Sequence, residues 1–142
     1  DLAENYISES ALEPGDVVCL DPKEDRIVKS ERANDGLLLG VISTSPGLLL
    51  GAEHSEDDQC TAQERLYPVA LSGRVPCKVT DENGSISRGD FLTSSLTPGC
   101  AMKAAPVIVG GVEIYAPGTI IGKALEPFTV GTGVIEVFVT LK

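Results

Sequence analysis

The chain has 142 residues, 42% of them hydrophobic, with 11 basic against 21 acidic side chains and a formal net charge of −10. That length suits one domain, while so large an acidic excess without any Lys/Arg cluster excludes a nucleic-acid backbone as partner and disfavours an anionic membrane surface. No apolar run approaches the roughly 20 residues of a membrane-spanning helix, and 15 glycines and 9 prolines leave little room for long helices of any kind.

The first segment reads Asp1-Leu2-Ala3-Glu4-Asn5-Tyr6. With Asp in first place and no basic flank it does not start like a signal peptide, and the expectation is a boundary within a longer protein or a cut chain. Asp1 and Glu4 are three residues apart, the spacing at which a turn or a first helical turn brings two carboxylates together. Two close carboxylates tend to share one proton, which provides an acid and a base at moderate pH. The competing reading of the same residues is an acidic strand or helix start with no chemistry.

Beyond that segment, strands are expected at 16–20, 26–29, 37–43, 69–79, 91–94, 102–104, 107–109, 112–115, 119–125 and 134–141, with turn signals between them. Ten short strands at such intervals predict an all-β fold, a compact β-barrel or sandwich-like domain. The last strand alternates imperfectly and is expected to be buried on much of both faces. Asp81-Glu82-Asn83-Gly84 predicts a tight hairpin with positive φ at both central residues.

The chain also resembles itself. Pro14-Gly15-Asp16-Val17-Val18 matches Arg88-Gly89-Asp90-Phe91-Leu92 at an offset of 74 residues, and Val28-Lys29-Ser30 matches Met102-Lys103-Ala104 at the same offset. Leu39-Gly40-Val41-Ile42 then resembles Ile121-Gly122-Lys123-Ala124 after an eight-residue insertion around Gly110-Gly111. The pattern is an internal two-fold β repeat, with sub-repeats at 14–50 and 67–142 inside a single domain spanning 1–142. Each Gly-Asp is then a turn that launches a strand, and Arg88-Gly89-Asp90 needs no receptor. Lys29 and Lys103 are read as solvated strand residues in preference to ion-pair partners.

Two leucine triplets, Leu37-Leu38-Leu39 and Leu48-Leu49-Leu50, each stand between glycines. They indicate backbone packed on both sides or a surface covered by a neighbouring subunit. The acidic stretch that follows holds Glu56, Asp57 and Asp58, which lack the spaced oxygen-ligand pattern of a calcium loop. Cys19, Cys60, Cys77 and Cys100 form no Cys-x-x-Cys pair, and His54 is the single histidine. Neither metal nor cofactor is expected, and the cysteines read as small buried apolar residues. No Gly-x-Ser-x-Gly elbow, phosphate-cradling loop or His-Glu-x-x-His is present, which argues against an enzyme acting on a separate substrate.

Asp1-x-Ala3-Glu4, Gly15-Asp16-Val17-Val18, Val28-Lys29, Leu39-Gly40-Val41-Ile42-Ser43 and Pro46-Gly47 together resemble the intramolecular-chaperone autoproteolytic cleavage domain, a glutamic-type self-cleaving peptidase. That domain ends tailed-phage pre-neck appendage proteins and many bacterial surface or fibre-like proteins. Tyr67-Pro68-Val69-Ala70-Leu71-Ser72-Gly73-Arg74-Val75, Gly89-Asp90-Phe91-Leu92-Thr93-Ser94-Ser95, Thr97-Pro98-Gly99, Ala101-Met102-Lys103-Ala104 and Gly122-Lys123-Ala124-Leu125 are similar to its bacterial branch.

The resemblance implies a domain at the carboxyl end of a homotrimeric fibre, at a cell surface or on a virion. Such a domain guides assembly of the upstream fibre segment and cuts the chain on the amino side of Asp1, which is then the new terminus. It implies Asp1 and Glu4 as the catalytic residues of a single-turnover autoproteolysis. One carboxylate activates water or attacks the preceding carbonyl, and the other protonates the departing amine. The alternative is a non-catalytic structural cap or adhesive module of a fibre. A carbohydrate-binding domain is disfavoured by 3 Phe, 3 Tyr and no Trp, since stacking on sugars needs exposed aromatic faces.

Overall fold

The computed structural model describes residues 1–50 and 63–140. Among them the glycine- and proline-punctuated chain forms only strands: β1 (Leu2–Ser8), β2 (Val17–Leu20), β3 (Ile27–Lys29), β4 (Leu38–Ile42), β5 (Leu48–Leu50), β6 (Arg65–Thr80), β7 (Phe91–Ser94), β8 (Ala101–Lys103), β9 (Val107–Val109), β10 (Val112–Ile114), β11 (Gly122–Ala124) and β12 (Thr132–Thr140). Ten of these fall on the segments expected from the sequence, while β1 and β5 do not. The fold is all-β, a small closed barrel with additional strands.

The 16-residue β6 is the common wall. Its second half pairs antiparallel with β12, from Ser72↔Thr140 to Thr80↔Thr132, and parallel with β8 at Val79↔Ala101. The order β6-β12-β11-β7-β8 therefore returns to β6 and leaves no open edge on that side. The first half of β6 pairs with β1 and with β4, and the sheet continues through β2 to β3.

The two Gly-Asp turns launch their strands with the same bonds. Gly15 (φ +89°) donates its N–H to Ile42 O, and Gly89 (φ +92°) donates to Ala124 O; a side chain at either position would be strained. The Glu13 N–H bonds Asp16 Oδ2 at 2.9 Å, and the Ser87 N–H bonds Asp90 Oδ2 at 2.7 Å. Val18 stands opposite Lys29 on one side and Gly40 on the other, as Leu92 stands opposite Lys103 and Gly122. Lys29 and Lys103 are not simply solvated strand residues, since each Nζ lies 3.7 Å from Oδ2 of its unit's aspartate.

Two apolar clusters fill the interior. The larger includes Val17, Val41, Val75, Cys77, Leu92, Ile121 and Val137, and the smaller includes Val18, Ile27, Ile42 and Val69. β12 buries one face only, with Ile135, Val137 and Val139 inside but Val134 and Phe138 exposed, because the barrel has an inside and an outside and period-two side chains alternate between them. The leucine triplet of β5 is likewise not packed on both sides, with Leu48 60% and Leu50 43% exposed. Asp81 to Gly84 is a turn in which Gly84 alone takes positive φ. It is not a hairpin, since β6 and β7 do not pair and Asn83 Nδ2 instead donates to Lys103 O.

Cys19, Cys77 and Cys100 are buried free thiols. Burial, then the nearby Asp35 charge, pushes the Cys19 thiol up to about 12, and burial raises Cys77 and Cys100 as well. Since the thiolate is the reactive form, all three should resist N-ethylmaleimide at pH 8 in the folded protein and react in urea, as read by peptide mapping. Cys60, His54 and the Glu56–Asp58 carboxylates lie outside the described residues.

Candidate functional site

β1 is the middle strand of three. It runs antiparallel to β6 (Ala3↔Ala70, Glu4↔Val69) and parallel to β5 (Leu2↔Leu48, Glu4↔Leu50). Ala3 is fully buried, so the strand is held on both edges and from beneath.

Asp1, just before it, occupies a built seat. Its carbonyl oxygen accepts the N–H groups of Gly47 and Leu48 at 3.0 and 3.2 Å, and its Oδ2 accepts the Ser43 hydroxyl at 2.6 Å. Ser43 directly follows β4, is 4% exposed, and is itself fixed by its N–H bond to Pro68 O. From the other side Gly73 (φ +108°) presses against the residue, and a Cβ there would lie 2.8 Å from Asp1 Cα. The backbone on either side of that seat is thus spoken for.

Glu4 is partly buried and accepts a hydrogen bond from the Tyr6 hydroxyl at 3.3 Å. Burial, then the Glu4 charge, raises the Tyr6 phenol, which stays a donor at neutral pH. Asp1 and Glu4 are not brought together by a turn, because the segment is extended. At about 3.3 Å per residue of extended chain their Cα atoms lie roughly 10 Å apart. Each carboxylate has its own hydroxyl partner, Ser43 for one and Tyr6 for the other.

Residue type and spacing single out Asp1 and Glu4 and give no site role to Ser43, Gly47 or Gly73. Gly73 does carry a sequence signal: a glycine interrupting the apolar run Val69 to Val79 marks a bulge or a close backbone approach, and the β1–β6 register does shift between Leu2 and Ala3. Among the described residues no group of three or more His, Cys, Asp and Glu side chains is arranged to hold a metal.

What the fold defines is a class, all-β domains with a closed small barrel and a first strand clamped between two others. No protein-family model matches the chain, and no curated protein matches it. Among solved structures it is similar to the C-terminal fragment of bacteriophage phi29 gene product 12. The likeness has a TM-score of 0.60 at 17% identity, and covers 99% of this chain and 100% of that fragment. At that identity the shared property is the fold.

Proposed function

We propose that this domain is a self-cleaving intramolecular chaperone that ends a fibre or surface protein, promotes its trimeric assembly, and is cut at the peptide bond preceding Asp1. The observation that carries the reading is the seat of Asp1. Two backbone N–H groups, the Ser43 hydroxyl and the Gly73 backbone fix the residue on the carboxyl side of that bond, and orienting a scissile group in this way can remove a large part of its barrier. A fold shared with the C-terminal fragment of a phage protein supports a location on a virion or cell surface.

In the proposed reaction a carboxylate activates water on the carbonyl carbon before Asp1, or attacks it directly, in which case the loss of the amine leaves a mixed anhydride that water then hydrolyses. The C–N bond then breaks, and the second carboxyl group supplies the proton that the departing Asp1 amine takes up. Because Asp1 and Glu4 of one chain are held by separate hydroxyl partners, Glu4 acts from a neighbouring copy, which ties cutting to assembly. A precursor extended upstream of Asp1 should be cut at least about 100-fold more slowly as the Glu4→Gln variant, scored on a denaturing gel. Co-assembly of Asp1→Asn and Glu4→Gln precursors should restore cutting of the Glu4→Gln chain. Undiminished cutting of Glu4→Gln alone would remove Glu4 from the chemistry.

The second reading is a non-catalytic cap or adhesive module. It is favoured by the separate hydroxyl partners of the two carboxylates, and under it the wild-type precursor stays intact.

A further inference from the structure

The nitrogen of Asp1 is the atom that departs in the proposed cut, and two glycines stand beside it. A Cβ built at Gly73 would lie 2.8 Å from Asp1 Cα and 3.6 Å from the Asp1 nitrogen. Gly73 has a φ of +108°, so its conformation alone calls for glycine, and its backbone seals that side of Asp1. A Cβ built at Gly47 would also lie 3.6 Å from the Asp1 nitrogen, and 3.5 Å from the Asp1 carbonyl oxygen. The likeness stops there. Gly47 takes no left-handed φ and is exposed. Its chain neighbours aside, no residue other than Asp1 comes within 4 Å of that Cβ position among the described residues.

Neither backbone strain nor a clash therefore requires glycine at position 47. An alanine methyl group would sit at ordinary van der Waals distance from Asp1 and fill the open space beside its nitrogen. The loop that carries Gly47 already holds Asp1 at two other points. Ser43 Oγ donates to Asp1 Oδ2 at 2.6 Å, and the N–H groups of Gly47 and Leu48 donate to the Asp1 carbonyl oxygen at 3.0 and 3.2 Å. With its carboxylate and carbonyl bound and Gly73 closing one side, Asp1 leaves its nitrogen approachable past Gly47.

We propose that Gly47 is a positioning residue of the cut, and that its missing side chain keeps open the path by which the proton donor reaches the departing nitrogen. When the bond before Asp1 breaks, the electron pair of the C–N bond goes to the Asp1 nitrogen. That nitrogen takes the proton of the donor carboxyl group, which is left as a carboxylate. The donor oxygen must come within about 2.6–3.2 Å of the nitrogen, and a side chain at position 47 would stand in that approach while leaving the strands and their pairing untouched. This deepens the cleavage part of the proposed function and rests on it, and it holds whichever carboxyl group is the donor.

Precursors extended upstream of Asp1 test it on a denaturing gel. Gly47→Ala should be cut at least about 10-fold and Gly47→Val at least about 100-fold more slowly than wild type. Gly47→Ala should assemble normally by sedimentation, with a urea midpoint no lower than wild type. Ser45→Val, at an exposed position of the same loop, should be cut at the wild-type rate. The chain that begins at Asp1 supplies a readout that a merely structural role would not move. Acetylation of its α-amine by acetyl N-hydroxysuccinimide ester, followed by peptide mapping, should be at least about 5-fold slower in Gly47→Val, with labelling of the lysines unchanged. Cutting of Gly47→Val at the wild-type rate overturns the proposal, as does Ser45→Val slowed to the same degree or an α-amine labelled equally fast in Gly47→Val and wild type. A Gly47→Ala precursor that fails to assemble overturns it too, since the structure leaves room for the methyl group. A wild-type precursor that assembles and stays whole defeats the cleavage reading itself, and this proposal with it.

Discussion

Gly122→Ala is expected to cost more than about 4 kcal/mol, a large part of the stability of an ordinary domain. A Cβ at Gly122 would collide with Phe138 O and sit 2.9 Å from Phe138 C and 3.0 Å from Val139 Cα. All three are backbone atoms, so no side chain can rotate away. Relief requires β11 and β12 to part, and their pairing (Gly122↔Val139 to Ala124↔Val137) is one of the seams that closes the barrel. Gly40→Ala, the counterpart in the first unit, meets Ala70 O at 2.5 Å and Val69 Cγ1 at 2.8 Å, and should be nearly as damaging. Gly36→Ala, with nothing within 4 Å, should change stability by less than about 0.5 kcal/mol. Urea unfolding followed by circular dichroism ranks the three, and a Gly122→Ala midpoint near that of wild type would refute this packing.

Asp16→Asn should lose about 3 kcal/mol and Asp90→Asn about 1 kcal/mol or less, although the two residues hold equivalent places. The Asp16 side chain is 1% exposed and pairs with Lys78 at 2.8 Å and Lys29 at 3.7 Å. It links β6 to β3 and lies against Gly99, where a Cβ would come 2.6 Å from its Oδ1. Removing its charge leaves two lysines without a partner they share inside the fold. Asp90 is 23% exposed and has Lys103 alone, itself 43% exposed, so water and salt screen the pair. Equal urea midpoints for the two variants would show that burial of Asp16 does not govern its contribution.

Much of the barrel was legible because its signals are local. Gly-Asp, the following lysine and the Gly-centred strand recur at fixed offsets, and the same residues take the same registers, Val18 with Lys29 and Gly40, Leu92 with Lys103 and Gly122. β1 was not legible, since Leu2-Ala3-Glu4-Asn5-Tyr6 has weak strand preference and is extended because β5 and β6 pair with both its edges. The same burial logic explains β12, whose sequence does not say which face meets the interior. In the site, Asp1 and Glu4 drew attention through residue type and spacing. The Ser43 partner of Asp1 depends on a contact 42 residues away in sequence, which no local pattern encodes. The ion pairs of Lys29 and Lys103 were missed for a different reason: surface pairs usually matter little, and one of these two is anchored on a buried carboxylate.

A self-made cut at one bond is tested by time-resolved mass spectrometry of a purified, protease-free precursor extended upstream of Asp1. Two pieces should appear, the downstream one beginning at Asp1, in the assembled protein and not in dilute monomer. An assembled precursor that stays intact, or one cut at another bond, would contradict it.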